Sequence, residues 1–150
     1  MRQQPSDDVR EFFAEFERAG NDNDIQAVIQ QFAEVFLNAD PNGAQPVPRA
    51  ALAAALPQRK ALFDSIGLLR THLTAITETA LDEHYVLVDT QWSTELRDPG
   101  ALSGPLDLTS TFVLRREAGT LRIVFYLNHQ DIVARIRAAS SPTPEATQGR

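Results

Sequence analysis

Apolar residues recur at helical spacing along the first third of the chain. Val9, Phe12, Phe13, Phe16 and Ala19 follow the i, i+3, i+4, i+7 rule, which places them on one face of an amphipathic helix from near Ser6 to Gly20. A second helix is expected directly afterwards. Asn23 is its cap, Gln26 can reach back in a capping box, and Ile25, Val28, Ile29, Phe32, Val35 and Phe36 form its buried stripe. Pro48 opens a third helical region, "PRAALAAALPQRKALFDSIG", in which Pro57 removes one internal hydrogen bond and is expected to split or kink the helix. Gly67 suits its end.

From Leu68 the period changes from helical to alternating. "LLRTHLTAITETAL", "HYVLVDTQWSTEL", "LDLTSTFVLRR" and "TLRIVFYLNHQ" are rich in Val, Thr, Ile and aromatics and are separated by Asp, Gly and Pro, so they read as antiparallel strands. "REAGT" predicts a tight hairpin and "RDPGALSGP" a looser one. Alternation puts Val86, Val88, Thr90 and Trp92 on one face, expected to meet the helices. On the last strand it puts Val124 and Tyr126 on one side and Ile123, Phe125 and Leu127 on the other. "QDIVARIRAA" predicts a short closing helix. Helices followed by a run of antiparallel strands is the α+β pattern, one sheet covered on one face by helices. Residues 1–7 read as a polar leader, 8–138 as the single domain, and 139–150 as a disordered, proline-bearing tail.

Composition narrows the function classes. The 150 residues are 43% apolar and 23% charged, the balance of a soluble globular protein. Without an apolar run of membrane length or a secretory h-region, the expected location is cytoplasmic and away from membranes. The chain has no cysteine, which excludes disulfides and thiolate chemistry. A formal net charge of −6 and no compact basic patch argue against nucleic acid. His72, His84 and His129 lack metal-ligand spacing, and no phosphate-binding loop or Gly-x-Ser-x-Gly elbow is present, so neither cofactor nor metal is expected.

One stretch bears two readings. Asp40-Pro41-Asn42-Gly43 has Asp, Pro and Gly where a type I turn wants them, yet it could also hang a carboxylate at a pocket mouth. "NHQD", residues 128–131, likewise reads as a strand end with a helix cap at Gln130 or Asp131, or as clustered polar groups of a site.

The run "DIQAVIQQFAEVFLNADPNG" followed by "RAAL" resembles the nuclear transport factor 2-like superfamily, which includes ketosteroid isomerase and the SnoaL-like cyclases. The resemblance covers roughly residues 8 to 135. It implies a cone: a curved antiparallel sheet wrapped around three N-terminal helices, with a pocket between. It implies pocket walls from Phe16, Phe32, Phe36, Phe63, Val86, Val88, Thr90, Trp92, Phe112, Val124, Tyr126 and Asn128. In the isomerase branch the aspartate of the Asp-Pro pair is a general base, which matches Asp40. The branch's two oxyanion donors fall here on Phe16 and on Phe112 or Thr111, none of them an acid or phenol. Losing one such donor costs roughly 10² to 10³ in rate. Tyr126 and Asn128 are the available substitutes.

Three functions follow as expectations. The first is an apolar pocket for a small hydrophobic or carbonyl-bearing molecule. The second is a cofactor-independent isomerase, cyclase or dehydratase with Asp40 as base. The third is a non-catalytic oligomerisation module. Apolar residues on both faces of the last strand predict a homodimer packed through the sheets.

Overall fold

The computed structural model describes residues 1–98 and 106–140. Its first helix, α1 (Asp7–Asn21), begins one residue after Ser6, whose backbone is extended and whose N–H and hydroxyl both go to the buried carboxylate of Glu78. Asp7 and Asp8 in the first turn complement the helix dipole. The expected stripe forms its inner face, with Val9, Phe13 and Ala19 buried. Ahead of α1, residues 2 and 3 pair with Thr79 and Glu78, so β1 (Arg2–Gln3) joins the sheet. The polar leader is therefore part of the fold.

The second helix departs most from expectation. α2 spans only Ile25–Gln30 and is capped by Asp24, whose side chain accepts the Ala27 N–H at 3.2 Å. Asn23 cannot cap because it takes a left-handed conformation (φ 56°) that turns the chain out of α1. Phe32 to Asp40, expected as the rest of the helix and the following turn, is strand β2, and Gly43–Pro48 is β3, its antiparallel partner. Phe32 and Phe36 are buried as expected, but from a strand. An apolar run of this length satisfies both periods, and the two cannot be told apart locally.

α3 (Arg49–Ser65) follows Pro48 and runs through Pro57 without interruption, so the expected split does not occur. Pro57 is exposed, which leaves the carbonyl it cannot serve within reach of water. Gly67, at φ 83°, ends the helix as predicted. The four long strands are β4 (Leu68–Ala80), β5 (Tyr85–Leu96), β6 (Asp107–Glu117) and β7 (Thr120–Asn128), and α4 (Ile132–Ser140) closes the described chain. "REAGT" is the predicted tight hairpin, with Ala118 and Gly119 at φ 52° and 80°. Most of the looser hairpin, and residues 141–150 of the expected tail, lie outside the described residues.

All strands join one curved, unclosed sheet in the order β1-β4-β5-β6-β7-β2-β3. Neighbours are antiparallel except β2 and β7, which are parallel, the last strand of the later meander coming to lie beside β2. Register shifts in β4, β6–β7 and β2–β7 bend the sheet. Val86, Val88, Thr90 and Trp92 are all buried and face the helices as predicted.

The shift in β7 corrects its expected pattern. Val113 pairs with Phe125 but Leu114 pairs with Ile123, leaving Val124 as an extra residue. On the tip side of this bulge Tyr126 faces inward; on the other side Ile123, not Val124, is fully buried. Val124 therefore does not share the inner face with Tyr126.

The main core joins Val9 and Phe13 of α1 with Phe32, Phe36, Val86, Val88, Phe112, Leu114, Leu121, Ile123 and Tyr126. A smaller cluster forms where Leu68 and Leu106 meet Phe63, Leu108 and Ile132. Gln31 ties α1 to the sheet: its side-chain amide donates to the Phe12 carbonyl at 2.8 Å, and its own carbonyl accepts the Ile123 N–H at 2.8 Å.

Candidate functional site

The inner face of the sheet carries one chain of polar contacts through otherwise apolar surroundings. Trp92, buried beside Phe16, donates its indole N–H to Thr90 Oγ1 at 2.7 Å, and Thr90 donates in turn to the Ser110 carbonyl at 3.0 Å. One strand further on, Ser110 Oγ donates to Asn128 Oδ1 at 2.9 Å. These residues meet because Thr90, Ser110 and Asn128 are directly opposed on β5, β6 and β7. With its carbonyl oxygen engaged by Ser110, Asn128 has an amide N–H₂ without a hydrogen-bond partner among the described residues.

Tyr126 lies two residues earlier on the same face. Its ring stacks on Phe112 at 4.6 Å with an interplanar angle of 13°, and it meets Phe16 edge-on at 6.1 Å. The residue is 9% exposed, yet its hydroxyl has no hydrogen-bond partner among the described residues. It is also not among the sealed, unsatisfied side-chain atoms, of which Gln31 Oε1 is the one found among the described residues. The accessible part of Tyr126 thus includes its oxygen. A buried phenol usually finds a partner, so this donor and the Asn128 amide form a pair of open polar groups against aromatic walls.

Asp40 ends β2, where alternation from Phe36 and Asn38 gives it the inner-face position one step beyond the Ala39–Leu127 pair. Its carboxylate nevertheless turns back to the hairpin. Oδ1 accepts the Asn42 N–H at 2.8 Å, an exposed contact that closes the Asp-Pro-Asn-Gly turn. Asn42 in turn donates its side-chain amide to Asp131 Oδ2 at 3.0 Å, and Asp131 Oδ1 caps α4 by accepting the Ala134 N–H at 3.0 Å. The Ala134 N–H first and the Asn42 amide second hold the Asp131 carboxyl below its usual range. The hairpin tip is therefore latched to a helix cap.

Among the sequence-predicted pocket residues, Phe16, Phe32, Phe36, Val86, Val88, Phe112 and Tyr126 pack together, and Trp92, Thr90 and Asn128 adjoin them. Phe63 belongs to the second cluster, where the Arg59 guanidinium lies 4.9 Å over its ring. Val124 faces the opposite side at the bulge. Of the positions expected for the oxyanion donors, Phe16 and Phe112 are in ring contact at 5.4 Å and fill the space with carbon, and the alternative, Thr111, has its hydroxyl on Asp89 and His129. The three histidines are all exposed: His72 lies 3.3 Å from Glu95, His84 3.4 Å from Glu83, and His129 bonds Thr111 at 2.8 Å.

Ser110 and Asn38 were not singled out from sequence. Ser110 could have been found from its same-face spacing with Phe112; Asn38, opposite Tyr126, was hidden by the helical reading of its segment.

No family model matches the sequence, and no curated protein matches it. Solved structures do share its fold. An NTF-2-like protein of unknown function from Shewanella oneidensis is 16% identical with a TM-score of 0.67, covering 85% of this chain and 100% of its own. An NTF2-like protein with a cystatin-like fold from Novosphingobium aromaticivorans is 20% identical with a TM-score of 0.64, covering 89% and 87%. A cystatin-like-fold protein of unknown function from Nostoc punctiforme is 12% identical with a TM-score of 0.64, covering 86% and 96%. The chain has the nuclear transport factor 2-like, cystatin-like α+β fold.

Proposed function

We propose that this protein is a SnoaL-like binder of a small, largely apolar molecule carrying a carbonyl or carboxyl oxygen. The ligand oxygen accepts from Tyr126 Oη and Asn128 Nδ2, and its apolar body lies against Trp92 and Phe16. The observation that carries this reading is the Tyr126 hydroxyl, 9% exposed as a residue and without a protein partner among the described residues. A donor left open beside apolar walls favours a ligand acceptor over water, because the walls offer water too few further bonds.

Catalysis through Asp40 is the weaker reading. Its Oδ1 is committed to the Asn42 N–H, and the expected oxyanion-donor positions hold Phe16 and either Phe112 or Thr111, whose hydroxyl already donates to Asp89 Oδ1 at 2.7 Å. A general base would need the other oxygen, Oδ2, aimed into the interior and a donor set aimed at the oxyanion.

Trp92 is the single tryptophan, so its fluorescence reports on this face directly. Titration with a panel of cyclic enones, aryl ketones and aryl carboxylic acids should give saturable quenching with at least one of them. Tyr126→Phe should weaken that ligand by roughly tenfold, the worth of one hydrogen bond to a buried acceptor. No saturable response across the panel, or equal affinity in the Phe variant, would count against the proposal.

A further inference from the structure

On the opposite face of the sheet, β2 and β7 part. Phe32 pairs with Ile123 and Leu37 with Phe125, so four residues of β2 span what one residue, Val124, spans on β7. The slack opens a cleft of about 580 Å³ whose walls include Glu34 and Val35 from β2, Val124 from β7, and Tyr85. Three guanidiniums line it: Arg49 at the start of α3, Arg115 on β6 and Arg122 on β7, in a chain whose formal net charge is −6.

Two of these cations are held in place without being neutralised. Arg122 Nη1 donates to the Gln30 carbonyl at 3.0 Å, and Arg49 Nη1 donates to the Phe32 carbonyl at 3.2 Å. The two carbonyls are two residues apart, so both guanidiniums are anchored on the same α2–β2 junction. Neither has a carboxylate within 4.0 Å among the described residues. Arg115 is 3.6 Å from Glu117, which also lines the cleft, and both side chains are well exposed. Glu34, the other acid of the lining, makes no ion pair among the described residues.

The geometry points to an oxyanion site: Arg49 and Arg122 together hold the carboxylate or phosphate-ester group of a small molecule whose apolar part rests on Val35, Val124 and Tyr85. A guanidinium fixed through one Nη still offers its remaining edge as a fork, and two forks from different elements, helix α3 and strand β7, suit a group with two or three oxygens. Carbonyl anchoring supplies the pre-organisation that surface arginines lack. This site is independent of the inner face and of Tyr126.

Calorimetric titration of the full chain with phenyl phosphate and with benzoate tests it, with inorganic phosphate as the control lacking an apolar part. Saturable binding with Kd below about 1 mM is expected for at least one aryl probe, and weaker binding for inorganic phosphate. Arg49→Ala and Arg122→Ala should each weaken the aryl probe by roughly tenfold or more, and Arg122→Lys should restore only part, because an ammonium cannot form the fork. Glu34→Gln removes the competing internal anion and should tighten binding, a gain that an unfolded variant cannot mimic. No saturation by about 10 mM, inorganic phosphate binding as tightly as the aryl probes, or unaltered affinity in the Arg variants or in Glu34→Gln would overturn the assignment.

Discussion

Asp40 illustrates how a single carboxylate is claimed by its own backbone. Its Oδ1 accepts the Asn42 N–H in an exposed turn, a bond that an asparagine oxygen can make nearly as well. Asp40→Asn should therefore change stability by less than about 0.5 kcal/mol, while Asp40→Ala should lose about 1 kcal/mol in urea unfolding. Tyr126 gives the converse case. Removing a hydroxyl that bonds none of the described residues should leave the melting temperature of Tyr126→Phe unchanged while ligand affinity falls. A large loss of stability would mean the phenol serves the fold. Phe112, fully buried between Phe13, Phe16 and Tyr126, has no such freedom. Phe112→Ala should cost about 3 to 5 kcal/mol, the usual price of an aromatic-sized cavity, measured by chemical denaturation.

At the scale of elements, several joints rest on aspartates that accept backbone N–H groups. Asp24 accepts from Ala27 at the start of α2, Asp82 from His84 and Tyr85 in the β4–β5 hairpin, and Asp131 from Ala134 at α4. Each is held below its usual range, in all three foremost by those backbone bonds; Arg18 adds to the effect at Asp24 and the Asn42 amide at Asp131. A carboxyl depressed in the folded state stabilises it fully above the unfolded value and ceases to do so as pH falls through the folded one. The melting temperature should therefore decline as pH drops below about 4, with a shallower decline in Asp82→Asn; an identical acid slope in that variant would contradict the assignment. The same elements show what could be read in advance. α1 and β4 to β7 were legible because Val9, Phe13 and the Val86–Trp92 set obey one period over a long span. β2 and β3 were not, since Phe32, Val35 and Phe36 fit a helical stripe as well as a strand, and only the distant partner β7 decides between them. The bulge at Val124 was equally hidden: a strand's sequence does not reveal where it gains a residue against its neighbour. Of the candidate site, the inward face of Trp92 followed from alternation and the capture of Asp40 from the turn residues beside it, whereas the latch of Asn42 onto Asp131 depended on two segments 89 residues apart meeting in space.

For the whole molecule, the outer face of the sheet carries a continuous apolar row. Leu87, Val113, Phe125, Leu37 and Pro46 are successive cross-strand partners from β5 to β3, an apolar row crossing five strands, with Leu37 38% exposed. We propose that this row is the homodimer contact expected from the sequence, with Phe125 and Leu127, not Ile123, on the contacting side. Light scattering at micromolar concentration should give twice the chain mass, and Val113→Lys should give a monomer; a monomeric parent protein would remove the proposal. The strand order has a further consequence, in time. β2 leaves the ribosome early, but the strand it lies beside in parallel is the last of the sheet to be made, so the β7 side of β2 stays unpaired until residues through Asn128 have been made. At typical synthesis rates that delay is on the order of ten seconds. During it the β2–β3 hairpin has no neighbour on its other edge, and a chain cut short before Leu121 would keep that edge open permanently, a nascent product suited to capture by chaperones or proteases.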